Sequence, residues 1–130
     1  MYNIQKRMIM KQIIFATVLA LSLFAFNSCE EDKYGYDNRV TFSARGGTED
    51  VDGDDPIYTL SIADYDGNEK QAEGEVIMVV NYDWLTASAV KGTGEIKLIA
   101  EPNNTGKKRK LYVYGMVRNK VIDITVVQEK

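Results

Sequence analysis

The sequence predicts an all-β domain behind a short N-terminal leader. After residue 39, apolar and polar residues alternate almost everywhere with a period of two, the pattern of half-buried strands. A helical period of useful length does not occur after residue 29. Gly, Asn, Asp and Pro residues separate seven or so short strand-like runs, a spacing typical of an antiparallel β-sandwich of immunoglobulin-like type.

The first half of the predicted domain contains four short strands. They are residues 40–44, 57–62, 75–80 and 84–88. Gly46 and Gly47 end the first strand, and Asp66-Gly67-Asn68 predicts a turn because these residue types tolerate left-handed backbone angles. The run 75–80 is apolar almost throughout, which predicts a strand at the centre of its sheet.

The second half has a clearer alternation. Ile96, Leu98 and Ala100 share one face of a strand, and Pro102–Gly106 predicts a turn after it. Residues 111–117 and 121–128 then read as a hairpin joined at Arg118-Asn119-Lys120. In its first strand Tyr112 and Tyr114 share the face opposite Leu111 and Val113, so one of the two faces is expected to be exposed.

The leader has three parts in a fixed order. Lys6, Arg7 and Lys11 precede an apolar run at 13–26, and Asn27-Ser28-Cys29 follows. This order resembles a bacterial lipoprotein signal peptide ending in a lipobox, although Phe26 stands where Leu is more usual. The apolar run is shorter than the roughly 20 residues of a spanning helix, which favours a cleaved leader. Residues 1–28 would then be removed and Cys29 lipidated, with Met1, Met8 and Met10 all open as the start.

An acidic triplet, Glu30-Glu31-Asp32, follows the cysteine directly. It resembles the export signal that sends Bacteroidetes lipoproteins to the outer face of the outer membrane, and it also suits a solvated linker. We therefore expect a lipidated cysteine and acidic tether at 29–39 and a domain at 40–130, held at the membrane by the lipid anchor.

Composition excludes several classes of function. Removal of the leader leaves 13 basic and 19 acidic residues, and this net charge of −6, with export, argues against a nucleic-acid partner. Cys29 is the only cysteine, so an intramolecular disulfide is excluded. The absence of histidine removes the usual general base, and so small a domain rarely forms a catalytic cleft, so the sequence predicts that the protein is not an enzyme.

The second half resembles a BACON domain, a module of Bacteroidetes surface proteins that often accompanies glycan-degrading enzymes. The resemblance rests on these segments: Asp83–Thr86, Gly92–Gly94, Ile96–Leu98, Asn103–Gly106, Arg109 and Ile124–Gln128. Phe42–Thr48 is similar to the family's opening strand, whereas the long acidic stretch 50–75 departs from it. The resemblance implies a sandwich fold, a surface location and a part in carbohydrate binding, although some members of the family are spacers.

The sequence offers two hypotheses for a carbohydrate site. Tyr65 stands beside Asp64, Asp66 and Asn68 on the predicted turn, so an aromatic ring and hydroxyl-binding groups can converge there, but the same pattern suits an ordinary hairpin tip. Trp84 can serve as a sugar platform or as the packing centre of the sandwich, and the second role is favoured for a lone tryptophan in a small domain.

Two charged segments have weaker interpretations. Asp50, Asp52 and Asp54 match the first three ligand positions of a calcium-binding EF-hand loop, but Asp55 and Ser61 replace its glycine and final glutamate. A solvated loop is therefore favoured over a calcium site. The run 107–110 is expected to be solvated at a strand entrance, with sulfated glycans as the alternative.

Together these features predict an outer-membrane surface lipoprotein that binds or presents glycan, a polysaccharide or mucin. The alternative is a non-binding spacer, or a small structural subunit that docks to a larger envelope or fimbrial complex. The expected partner is accordingly a glycan or another envelope protein. No cofactor is expected apart from the calcium considered above.

Overall fold

The computed structural model describes residues 34–130. The predicted leader, Cys29 and the acidic triplet lie outside the described residues. Within residues 34–130 the structure has no helix of the length and apolarity that a membrane span requires. The fold of this part of the chain is all-β.

Between residues 34 and 130, nine strands form two sheets. They are β1 Arg39–Phe42, β2 Gly47–Asp52, β3 Ser61–Ala63, β4 Glu69–Gln71, β5 Ile77–Tyr82, β6 Leu85–Val90, β7 Glu95–Ala100, β8 Arg109–Val117 and β9 Lys120–Gln128. The five-stranded sheet has the order β1-β9-β8-β3-β4, and the four-stranded sheet has the order β2-β7-β6-β5. The arrangement is sandwich-like, because both sheets contribute to one buried apolar cluster.

One strand pair departs from the predicted antiparallel pattern. β1 runs parallel to β9, with Arg39 opposite Thr125 and Phe42 opposite Gln128. The expectation of a purely antiparallel sandwich is therefore wrong at this edge. The chain enters the sheet beside its own last strand, and a contact between the two ends of a domain leaves no local signal in the sequence.

The core follows the period-two pattern. Ile96, Leu98 and Ala100 of β7 are buried while their neighbours in the strand are exposed, as predicted. The hairpin of β8 and β9 also forms as predicted, and Ile122 and Ile124 point into the same core. Burial of these alternate aliphatic side chains is the main favourable term that holds the two sheets together.

The predicted first half needs four corrections. The acidic segment that was expected to be a loop contains β2, and the short β4 was not predicted. Only the end of the 57–62 run is a strand. The run at 75–80 becomes β5, which lies at the edge of its sheet instead of the centre. Ile77 and Val79 are apolar yet 58% and 45% exposed, so apolar character did not report burial there.

Packing begins before the first strand. The Tyr36 side chain is 1% exposed within the core, and its hydroxyl donates a hydrogen bond to the Asp55 carbonyl oxygen at 2.5 Å. The Asp54 amide donates to the Tyr34 carbonyl oxygen at 2.7 Å. The packed domain thus includes residues that the sequence assigned to the tether.

The sandwich has two distinct ends. At the first, which we call the Tyr34 end, the Arg118 guanidinium lies 5.9 Å from the centre of the Tyr34 ring and forms a salt bridge with Asp55 at 3.1 Å. β8 runs from Arg109 to Val117, directly before Arg118, and β3 is antiparallel to it. The turn that follows β3 therefore lies toward Arg109, at the opposite end, which we call the Trp84 end.

Candidate functional site

The outer face of the five-stranded sheet carries two tyrosines in a row. Tyr112 and Tyr114 of β8 are half-buried, whereas Leu111 and Val113 between and beside them face the core. On β3 their direct neighbours are Ala63 and Ser61. Both neighbours are small and buried, and Ala63 lies with the two tyrosines at the border of an open space.

An open depression of about 620 Å³ occupies this space. Its lining residues are Ala63, Asp64, Tyr65, Gly67, Glu69, Tyr112, Tyr114 and Val121. We call it the tyrosine groove. Tyr65 is 87% exposed, the most exposed large apolar or aromatic side chain of the described residues. The groove combines aromatic surface with carboxylate oxygens, which can stack on a ring and accept hydrogen bonds from hydroxyl groups.

Asp64 accepts three hydrogen bonds at the border of the groove. Its two carboxylate oxygens accept hydrogen bonds from the Asn68 backbone and side-chain amides, both at 2.9 Å. The Tyr82 hydroxyl donates a third bond to Asp64 at 2.8 Å. These hydrogen bonds lower the pKa of the Asp64 carboxyl below its ordinary value, and the bond from the Asn68 side chain has the largest effect.

Glu69 forms the opposite border of the groove. Its Oε2 accepts hydrogen bonds from the Ser61 hydroxyl at 2.7 Å and from the Gln71 amide at 3.1 Å. Burial, followed by the charges of Asp123 and Glu69 and the nearby Tyr112, raises the pKa of Tyr114. The Tyr114 phenol therefore keeps its proton at neutral pH and is available as a hydrogen-bond donor.

The predicted group Tyr65, Asp66 and Asn68 is only partly brought together. Tyr65 lines the groove, but the Asn68 side-chain amide is used by Asp64, and Asp66 is exposed outside the lining. Sequence reasoning placed Asp64 beside Tyr65 but missed Glu69. It identified the shared face of Tyr112 and Tyr114 without grouping these two residues with Tyr65.

Trp84 belongs to the core, as the favoured interpretation predicted. Its side chain is 3% exposed, so its candidate role as an open sugar platform is wrong. The Arg109 guanidinium carbon lies 4.8 Å from the centre of the Trp84 ring. Arg109 in turn donates a hydrogen bond from Nε to Gln128 Oε1 at 2.8 Å.

A second open depression, of about 730 Å³, adjoins the groove at Asp64. Its lining residues are Asp64, Tyr82, Asp83, Trp84, Thr105, Lys107, Lys108, Arg109, Lys110 and Leu111. We call it the lysine cleft. One wall is formed by four consecutive cationic residues, and two carboxylates lie among the other lining residues.

The calcium candidates do not converge. Asp50 and Asp52 lie two residues apart on β2 and Asp54 follows the strand. Across residues 34–130 the structure contains no group of three His, Cys, Asp or Glu residues that could hold a metal ion.

Comparison with known proteins supports the fold alone. The chain matches no protein-family model and no curated protein. It is similar to an NMR structure of a protein from Bacteroides thetaiotaomicron, with a TM-score of 0.52 over 76% of this chain and 82% of that one. The two chains are 18% identical, so the likeness extends to the architecture and not to activity.

Proposed function

We propose that this protein is a lipid-anchored glycan-binding domain of the bacterial cell surface, with an immunoglobulin-like sandwich of BACON type. The observation that carries the proposal is the tyrosine groove, where Tyr65, Tyr112 and Tyr114 lie beside Asp64 and Glu69. Sugar rings offer apolar faces to aromatic side chains and hydroxyl groups to carboxylates, so the groove matches both parts of a sugar.

The position of the groove suits a ligand that approaches from the side away from the membrane. The described chain starts at Tyr34, and only four residues separate Tyr34 from Cys29. From Cys29 to Tyr34 there are five residue-to-residue steps, which span at most about 18 Å in an extended chain. A lipid on Cys29 would therefore hold the Tyr34 end near the membrane. The turn carrying Tyr65 lies toward the opposite end, where a glycan outside the cell would meet it.

The test is a glycan array probed with the mature chain in which Cys29→Ser prevents lipidation. The described core runs from Tyr36 to Val126, so loss of residues 1–28 leaves it complete. We expect binding to a subset of host or plant polysaccharides, equal with and without calcium. Absence of binding in both conditions would reject the glycan function.

The cellular location is tested separately. Protease added to intact cells should digest the domain if it faces the exterior, whereas a protected domain would contradict surface display. Labelling with a fatty-acid analogue should depend on Cys29, and a Cys29→Ser full-length chain should lose the label. These results are independent of any ligand.

A docking function is the second candidate, and exposed apolar side chains on and beside β5 favour it. Val76, Ile77, Val79 and Val90 are all more than 40% exposed, and β5 is an edge strand whose outer side pairs with Glu73 at Val79. Edge strands with apolar side chains pair readily with other chains. Crosslinking on cells should then capture one envelope protein, and Ile77→Lys should abolish that capture without changing glycan binding.

A further inference from the structure

The tyrosine groove and the lysine cleft form one continuous surface because Asp64 lines both. Lys110, Tyr112 and Tyr114 alternate along β8 and so face the same side of the sheet. A ligand that lies on the tyrosine rings and extends along β8 toward Arg109 therefore reaches the lysines. The two depressions are best treated as parts of one extended site.

Two of the cations in the cleft are uncompensated. Lys108 Nζ lies 3.6 Å from Glu129 Oε1, and Arg109 is held by Gln128 and by the Pro102 carbonyl oxygen at 3.2 Å. Lys107 and Lys110, by contrast, form no ion pair with any carboxylate of residues 34–130. Their ammonium groups remain free to meet an external anion.

The other side of the lysine cleft carries negative charge. Asp64 and Asp83 are carboxylates, which repel a uniformly anionic polymer but accept hydrogen bonds from neutral hydroxyl groups. A ligand with separate anionic and hydroxyl-bearing parts fits both walls. The cleft also lies at the Trp84 end, away from the tether, which argues against lipid headgroups of the protein's own membrane as the anion.

We propose that Lys107 and Lys110 bind an anionic substituent, a sulfate or a carboxylate, of a carbohydrate whose sugar rings lie on Tyr112 and Tyr114. This inference rests on the proposed glycan function and adds the class of ligand. Lysine acts as a mobile point charge that suits either anion. Hydrogen bonds from the ammonium groups would hold the substituent, while the tyrosines hold the neutral surface of the sugar.

The test is a polysaccharide panel that pairs each charged polymer with a neutral counterpart. Carrageenan with agarose tests sulfate, and hyaluronan, in which charged and neutral sugars alternate, tests carboxylate beside its methyl ester. The mature Cys29→Ser chain is expected to bind at least one charged polymer about tenfold more tightly than its counterpart. Lys107→Gln/Lys110→Gln should remove this preference and its salt dependence, while Lys91→Gln/Lys120→Gln, distant from the cleft, should keep both.

Other results have defined meanings. Equal binding to charged and neutral polymers, unchanged by Lys107→Gln/Lys110→Gln, would overturn the inference and leave the glycan function standing. Binding to none of the polymers would overturn the inference, and the glycan array separately decides the glycan function. Equally tight binding to polyphosphate, or equal losses in the control variant, would show general attraction of polyanions and would also overturn the inference.

Discussion

The Arg109 guanidinium covers the Trp84 ring at 4.8 Å, so the single tryptophan packs under a cation. Arg109 also donates a hydrogen bond to Gln128, which is 0% exposed. The Gln128 side-chain amide in turn donates hydrogen bonds to the carbonyl oxygens of Ser43 and Glu101 at 3.1 and 2.8 Å. This network joins the ends of β8 and β9 to the segments that follow β1 and β7. It positions Arg109 and Trp84, which both line the lysine cleft.

Arg109→Ala should lower the free energy of unfolding by about 2–3 kcal/mol, because it removes the cation–π contact and leaves Gln128 Oε1 buried without its donor. Urea unfolding followed by Trp84 fluorescence measures the loss. Lys108→Ala is the control, since its side chain is 58% exposed and should change stability by less than about 0.5 kcal/mol. Equal effects of the two variants would contradict the network.

Tyr36→Ala tests whether folding includes the segment before β1. The Tyr36 side chain is 1% exposed, so its removal should cost about 3–5 kcal/mol, the range for truncating a large core side chain. Tyr65→Ala is the matched control, because Tyr65 is 87% exposed and its loss should be nearly neutral. If Tyr36→Ala left the free energy of unfolding unchanged, the segment before β1 would belong to the tether and not to the folded domain.

The lowered pKa of Asp64 predicts acid sensitivity of the turn after β3. A carboxyl whose folded pKa lies below the unfolded value of about 3.9 stabilises the fold above that pH and loses this contribution as the pH falls through its folded pKa. Asp64→Asn should therefore be less stable than the wild type at pH 7, with the difference shrinking below about pH 4.

An NMR titration checks the cause of the lowered pKa, since Tyr82→Phe removes one hydrogen-bond donor and should raise the Asp64 pKa toward its ordinary value. An unchanged value would show that Tyr82 does not contribute.

Calcium should have no effect on stability. Asp50 and Asp52 are spread along β2 and do not form a ligand cluster with Asp54. A ligand that binds only the folded state raises the melting temperature, so a constant melting temperature between EGTA and millimolar calcium is expected. A rise that Asp52→Asn abolishes would restore the calcium interpretation.

Periodicity was sufficient for the strands that bury one face. The alternation at Ile96, Leu98 and Ala100 and the hairpin around Arg118 follow from local patterns, and both are confirmed. β2 was missed because an exposed edge strand of Thr, Glu and Asp has the composition of a loop. β5 was misplaced because its outward residues are apolar but uncovered, and composition alone does not distinguish an edge from a centre.

The candidate site was less predictable because it depends on contacts between distant segments. The Tyr82 hydroxyl meets Asp64 across 18 positions of sequence, and Tyr112 comes from a strand nearly 50 positions further along the chain than Asp64. The sequence placed the aromatic residue Tyr65 on the correct turn. It contained no signal that pairing of β3 with β8 would bring Tyr112 and Tyr114 beside that turn.

Tyr112→Ala tests whether the glycan binds in the tyrosine groove or elsewhere on the domain surface. Tyr112 lines the groove beside Tyr65 and Tyr114, and removal of its ring should weaken glycan binding about tenfold, through loss of stacking area at the centre of the site. Tyr58→Ala is the matched control, because Tyr58 is 48% exposed but lies outside the groove. Calorimetric titration of both variants, after their melting temperatures are shown to match, measures the difference. Retained affinity in Tyr112→Ala would place the glycan elsewhere on the domain.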